Sequence, residues 1–98
     1  MQCVLEGAVL RVSGEVLNPS LPDLKQQLEG LLTQQEAALQ VDLAGVESID
    51  TAGLQVLLAA RTSALRSNRN LHLCNASEVV QHTLNRTGLG FLQTPPDS

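Results

Sequence analysis

Side chains able to do chemistry concentrate in one stretch, from Asp42 to Gln55. Asp50-Thr51-Ala52-Gly53 places a carboxylate, a hydroxyl and two small residues immediately before the apolar run Leu54-Gln55-Val56-Leu57-Leu58. That pattern is a helix start. The first N–H groups of a helix have no intrahelical partner, and the macrodipole adds about half a positive charge there. Such a position suits a phosphate, another anion, or the acceptor groups of a docking partner. Asp50 can serve as the cap, worth about 1 kcal/mol, or as a partner contact. Thr51 can cap the helix, touch a partner or accept a phosphoryl group. A phosphate there would bring roughly two negative charges to the positive end of the helix and repel an acidic partner. Gly53 is costly inside a first helical turn, so close approach of another backbone, from a strand or a partner, is expected against it. Asp42 interrupts an apolar strand pattern. A buried, unpaired carboxylate would be expensive, which predicts a place at the sheet edge near the helix start. There it would either accept loop N–H bonds or form an acidic contact beside Thr51.

No other set of residues matches a catalytic or metal-binding pattern. His72 and Cys74 share one strand face, but two ligands without a third make no metal site. His82 reads as a solvated helix residue. There is no Ser-His-Asp set, no Gly-rich phosphate loop and no paired catalytic carboxylates, so neither an enzyme nor a cofactor is expected. A formal charge of −4, with six Lys and Arg spread along 98 residues, argues against a nucleic-acid partner. No apolar run approaches the roughly 20 residues of a membrane span, and no signal-peptide pattern opens the chain. Cys3 and Cys74 lie far apart and are expected to be free thiols in a reducing compartment. These features predict a small, acidic, cytoplasmic binding protein.

The elements that must position the helix start are legible in the pattern. Val4-Leu5 and Ala8 to Val12 flank Glu6-Gly7, which predicts a hairpin ending at Ser13-Gly14-Glu15. It leaves an edge strand open to dimerisation. Leu10 and Val12 fall on one face, Val9 and Arg11 on the other. Ser20 is the expected N-cap of a helix carrying Leu21, Leu24, Leu28, Leu31 and Leu32 at helical spacing. Leu39 to Leu43 predicts an inner strand. The next helix, Ala52 to Ser67, carries a stripe of Leu54, Leu57, Leu58, Arg61 and Leu65, broadened by Val56, Ala59 and Ala60. Asn68-Arg69-Asn70 is a loop, and Leu71 to Cys74 alternates as a strand. Asn75 is the expected cap of a third helix, with Glu78 completing a capping box. Val79, Val80, Thr83 and Leu84 form its inner face, and Gly88 ends it. Phe91-Leu92 can add a terminal strand. Alternation after the hairpin predicts an α/β fold with right-handed crossovers. One Phe and no Trp or Tyr leave Leu, Val and Ala to fill the core.

Taken in order, four features resemble the STAS domain family, shared by anti-sigma-factor antagonists and sulfate transporters. They are Gly14-Glu15, Val41-Asp42-Leu43-Ala44-Gly45-Val46, Asp50-Thr51-Ala52-Gly53-Leu54, and Leu71-His72-Leu73 followed by a capped helix. The resemblance implies a STAS domain over residues 1–92, with a four- or five-stranded mixed sheet and three to four helices mainly on one face. Residues 93–98 would be a disordered tail. In members that act as sigma-factor switches the helix start resembles Asp-Ser-Ser-Gly or Asp-Ser-Thr-Gly, and an anti-sigma kinase phosphorylates the residue before the Gly. Here that residue is Ala52, which has no oxygen. Thr51 is the neighbouring hydroxyl, turned by about 100° on a helix. Leu17 stands where the switch proteins usually carry an acidic residue. Asp-Thr-small-Gly-Leu resembles two other branches: the STAS subunit of the ABC transporter that maintains outer-membrane lipid asymmetry, and the stand-alone STAS proteins of chemotaxis systems. The family also implies a non-catalytic module binding through Asp42, Asp50, Thr51, Ala52 and Gly53, with Leu54 and Gln55 at the margin. Its partner would be a regulatory protein of anti-sigma or histidine-kinase type, or alternatively the ATPase of a phospholipid-transport ABC system. A nucleotide- or lipid-binding groove is a further idea attached to the fold, and the lack of a basic residue in the motif disfavours nucleotide.

Overall fold

Gly7 makes the first turn. Its φ of +56° suits the first central position of a two-residue type II′ hairpin loop, with Ala8 second. In the computed structural model, which describes residues 1–88, this loop joins β1 (Gln2–Glu6) to β2 (Val9–Val16). The strands pair antiparallel, with Glu6 opposite Val9 and Gln2 opposite Ser13. The turn therefore sits one residue later than Glu6-Gly7. The hairpin does not end the strand: β2 runs on to Val16, because its second half finds a parallel partner in β3 (Ala38–Ile49). That partner is longer than the predicted Leu39 to Leu43 for the same reason. Two register shifts along β2, between Arg11 and Ser13 and between Gly14 and Glu15, let the strand bend while it stays paired.

The sheet order is β1-β2-β3-β4, with β4 at Asn70–Cys74 parallel to β3. Leu10, Val12, Leu39, Val41, Leu43, Leu71 and Leu73 are buried, whereas Arg11 and Gln40 are exposed and Asp42, His72 and Cys74 half-buried. That alternation marks one covered face and one open face. Helices α1 (Leu21–Leu32), α2 (Thr51–Arg66) and α3 (Glu78–Arg86) complete the core. The fold is thus a mixed four-stranded α/β sheet with three helices. The core is aliphatic throughout the described residues. The expected strand at Phe91-Leu92 and the tail at 93–98 lie outside them.

Local details correct the sequence reading in four places. Ser20 makes no side-chain cap; a short 3-10 turn at Asn18–Ser20 leads into α1, and the Ser20 amide donates to the Leu17 carbonyl at 2.8 Å. On α2 the buried stripe is Gly53, Leu54, Leu57, Ala60 and Ala64, while Arg61 is half-buried and Leu65 is exposed. Small residues at 60 and 64 let α2 approach its neighbours, so the stripe follows them instead of the larger side chains at 61 and 65. Asn75 does not cap α3; it adopts φ +53°, a conformation Asn tolerates. Ser77 is the cap, its hydroxyl accepting from the Val80 amide at 3.4 Å and donating to the Val46 carbonyl at 2.8 Å. Glu78 therefore becomes the first helical residue, with no capping box, and Val79 turns outward. Gly88, at φ +78°, follows the helix end as expected.

Cys3 and Cys74 are free and sit on the two outer strands of the sheet. Three strand spacings, about 14 Å, separate them, too far for a disulfide. Burial pushes both thiols above their ordinary pKa, with Asp42 adding to the effect on Cys74.

Where β2 bends past β3, a Cβ built on Gly45 would stand 2.8 Å from the Ser13 Cβ. Neither atom is the end of a flexible chain, so any side chain at 45 must push the strands apart. Gly45→Ala is expected to lower unfolding free energy by about 1–3 kcal/mol, measurable by urea denaturation. An unchanged midpoint would show that the strands can separate freely there.

Candidate functional site

The helix start lies where β2 and β3 end together, with Val16 paired to Ile49. The Asp50 amide donates to the Val16 carbonyl at 3.3 Å, which ties the first residue after β3 to the last residue of β2. The Asp50 side chain then accepts the Gly53 amide at 2.8 Å, and its carbonyl accepts the Leu54 amide at 3.2 Å. Asp50 is therefore the N-cap of α2. Because its own carboxylate already occupies the positive end of the helix, a phosphate approaching the same amides would meet a like charge.

Gly53 is the pivot of the arrangement. A Cβ at this position would lie 3.0 Å from Ile49 Cγ1, 3.1 Å from Val16 Cγ1 and 3.2 Å from the Val16 carbonyl oxygen. The close neighbour expected from sequence is thus strand β2 of the same chain. Leu54 is fully buried in the core. These two residues position the helix and offer no side chain to a partner.

Thr51 and Gln55 point outward and are exposed. They stand four residues apart on α2, hence on one face. Among the described residues the Thr51 hydroxyl has no hydrogen-bond partner, so it does not cap the helix. Ala52 is half-buried beside it. Gln55 and Val56 also line a groove of about 380 Å³ between α1 and α2, with Leu28, Leu32, Ala59 and Ala60 among its apolar walls.

Asp42 belongs elsewhere. It is on the inner strand β3, not at an edge, opposite Arg11 on β2 and Cys74 on β4. Its carboxylate accepts the Ala44 amide at 2.9 Å and the Asn75 side-chain amide at 3.2 Å. It thereby holds the left-handed Asn75 turn that leads into α3. Seven residues of β3, roughly 25 Å of strand, lie between it and Asp50. The open face of the sheet lets a polar group sit on an inner strand without being buried.

The sequence reading did not pick out Glu15 and Glu47. Glu15 is paired with Ser48, next to Glu47, and both glutamates are exposed at the end of the sheet that leads into the helix start. Together with Asp50 they form an acidic rim, and no Lys or Arg occurs between Lys25 and Arg61. That gap in the distribution of cations was the available signal. Among the described residues no cluster of three metal-ligating side chains occurs and no helix is long and apolar enough to cross a membrane. His82 is exposed on α3.

Comparison with known structures bears on the fold. The anti-sigma factor antagonist SpoIIAA in its unphosphorylated form superposes with a TM-score of 0.73 at 17% identity, over 95% of this chain and 84% of that one. An anti-sigma factor antagonist from Mycobacterium paratuberculosis gives 0.78 at 24% identity, over 98% and 86%. At these identities the likeness is one of fold. A search of curated proteins returned no match. The family model described as "Mlab, STAS domain" matches residues 2–94, nearly the whole sequence. The chain belongs to the STAS domain family.

Proposed function

We propose that this chain is a non-catalytic regulatory module that binds a signalling protein through the exposed shoulder of α2. The observation that carries the reading is the division of labour at the helix start. Asp50, Gly53 and Leu54 satisfy the fold, while Thr51 and Gln55 are exposed on one face, and the Thr51 hydroxyl is left over. Ala52 supplies contact area and no phosphoacceptor oxygen. The acidic rim of Glu15, Glu47 and Asp50 suits a partner that brings basic residues, so association should slow as salt rises. The partner is a regulatory protein of anti-sigma or histidine-kinase type, and Thr51 is the one hydroxyl of the motif where a phosphoryl group can be placed. A cytoplasmic location fits two free thiols.

A second reading, an accessory subunit on the ATPase of a phospholipid-transport ABC system, is favoured by the family model that matches and by the Asp-Thr-small-Gly-Leu form of the motif. Affinity capture from native extract, with Thr51→Glu as the control bait, separates the two. Recovery of a kinase or sigma regulator by the unmodified bait and not by the control is expected. Recovery of an ABC ATPase alone would establish the second reading and end the first.

Two substitutions test the division of labour directly. Thr51→Glu is expected to weaken partner binding about tenfold, equivalent to 1.4 kcal/mol, while leaving the melting temperature nearly unchanged. The loss arises because a carboxylate at the neutral centre of the contact must be desolvated, even where basic groups meet the rim. Asp50→Ala is expected to lower stability by about 1 kcal/mol through loss of the cap. If Thr51→Glu instead collapsed the melting temperature, the hydroxyl would be structural. Phosphate found on Thr51 by mass spectrometry, and lost in Thr51→Ala, would make the shoulder a switch.

A further inference from the structure

Strand β1 is an outer strand, and among the described residues nothing pairs with its outward edge. The loop of Gly7 and Ala8 is closed by Glu6 and Val9, so that pair is hydrogen-bonded in the antiparallel ladder. Alternation then assigns the main-chain groups of Glu6, Val4 and Gln2 to β2 and points those of Leu5 and Cys3 outward. The register is unbroken over five consecutive pairs. The usual protections of an edge are missing: β1 contains no Pro, no Lys and no bulge, and its single charge is Glu6. Val4 is 51% exposed and Leu5 is 36% exposed.

We infer that β1 pairs antiparallel with β1 of a second copy about a two-fold axis through Val4, joining two four-stranded sheets into one of eight strands. The edge is self-complementary in this register. Cys3 lies opposite Leu5 of the second copy and Leu5 opposite its Cys3. Those are the residues with outward main-chain groups, so each pair exchanges two N–H···O bonds. Val4 meets Val4 at the axis in the closer, non-hydrogen-bonded position. Gln2 meets Glu6, an amide donor against a carboxylate, so no like charges are opposed. Glu6 is held from its other side by Arg11 at 3.5 Å. Every side chain keeps its face, and Cys3 and Leu5 stay on the side where Leu5 packs against Gly30 of α1. The pairing uses the outer side of β1 and leaves Thr51 and Gln55 free on both copies.

Sedimentation equilibrium of the unmodified chain is expected to give a dimer of the 10.4 kDa chain. Val4→Lys, at an exposed position, should raise the dimer dissociation constant at least roughly tenfold by opposing two ammonium groups at the axis, with an unchanged melting profile of the monomer. In a Cys3→Ser, Cys74→Ser background, Val4→Cys should oxidise to a covalent dimer, since paired Cα atoms there would be about 4.5 Å apart. Glu6→Cys in the same background should not, because the two positions 6 would lie about 14 Å apart. A chain that stays monomeric up to roughly millimolar concentration, about −4 kcal/mol in association free energy, would overturn the inference. So would a dimer that Val4→Lys leaves intact, or one that Glu6→Cys cross-links as readily as Val4→Cys.

Discussion

The contact between Gly53 and the end of β2 governs the rest of the site. The Val16 carbonyl receives the Asp50 amide and lies where a Gly53 side chain would have to go. One backbone oxygen therefore fixes both the entry of the chain into α2 and the distance of that helix from the sheet. With α2 seated so closely, Leu54 falls fully into the core. The helical period then decides which neighbours face out: Thr51 before it and Gln55 after it. A larger residue at 53 would lift the helix and rotate those exposed groups together. The docking face is thus a consequence of packing beneath it.

This clarifies why the sequence was informative about some parts and silent about others. Alternation in Leu71-His72-Leu73 and the leucine spacing of α1 are local periodicities, and they located β4 and α1 correctly. The extent of β2 and β3 was not local. Ser13-Gly14-Glu15 looks like a turn, and only the presence of a parallel partner turns it into bent strand. The cap of α3 failed for a similar reason. Asn75 and Ser77 are both acceptable caps in isolation, but Asn75 is held by Asp42 from a neighbouring strand, which leaves Ser77 to begin the helix. At the helix start itself, the Asp50 cap was readable because it acts on an amide three residues on. Gly53 was readable because a glycine in a first helical turn is itself the signal, although the Val16 it meets is far away in sequence. The separation of Asp42 from that site was not, because it depends on how far β3 extends.

Ala52 gains a physical meaning from the same geometry. It is half-buried between an exposed hydroxyl and the pivot glycine, a position where a methyl group adds contact area at little cost in desolvation. A phosphorylated residue there would place its charge next to the Asp50 carboxylate that already caps the helix. The chain instead keeps a neutral surface at that point, with Glu15, Glu47 and Asp50 along the end of the sheet that leads into it. A partner can then recognise it by shape at the centre and by charge at the rim, the division found in protein interfaces generally.

Pairing through β1 would place two such shoulders on one rigid sheet. In the predicted register both copies keep their helices on the same face, since antiparallel strands related by an axis perpendicular to the sheet do not exchange faces. A partner with two equivalent docking sites would then engage both shoulders, the second contact becoming intramolecular and governed by effective concentration. A weak single contact would suffice for tight overall binding, and the loss of one exposed Val4 side chain on the far strand would be felt at Thr51 as a loss of avidity.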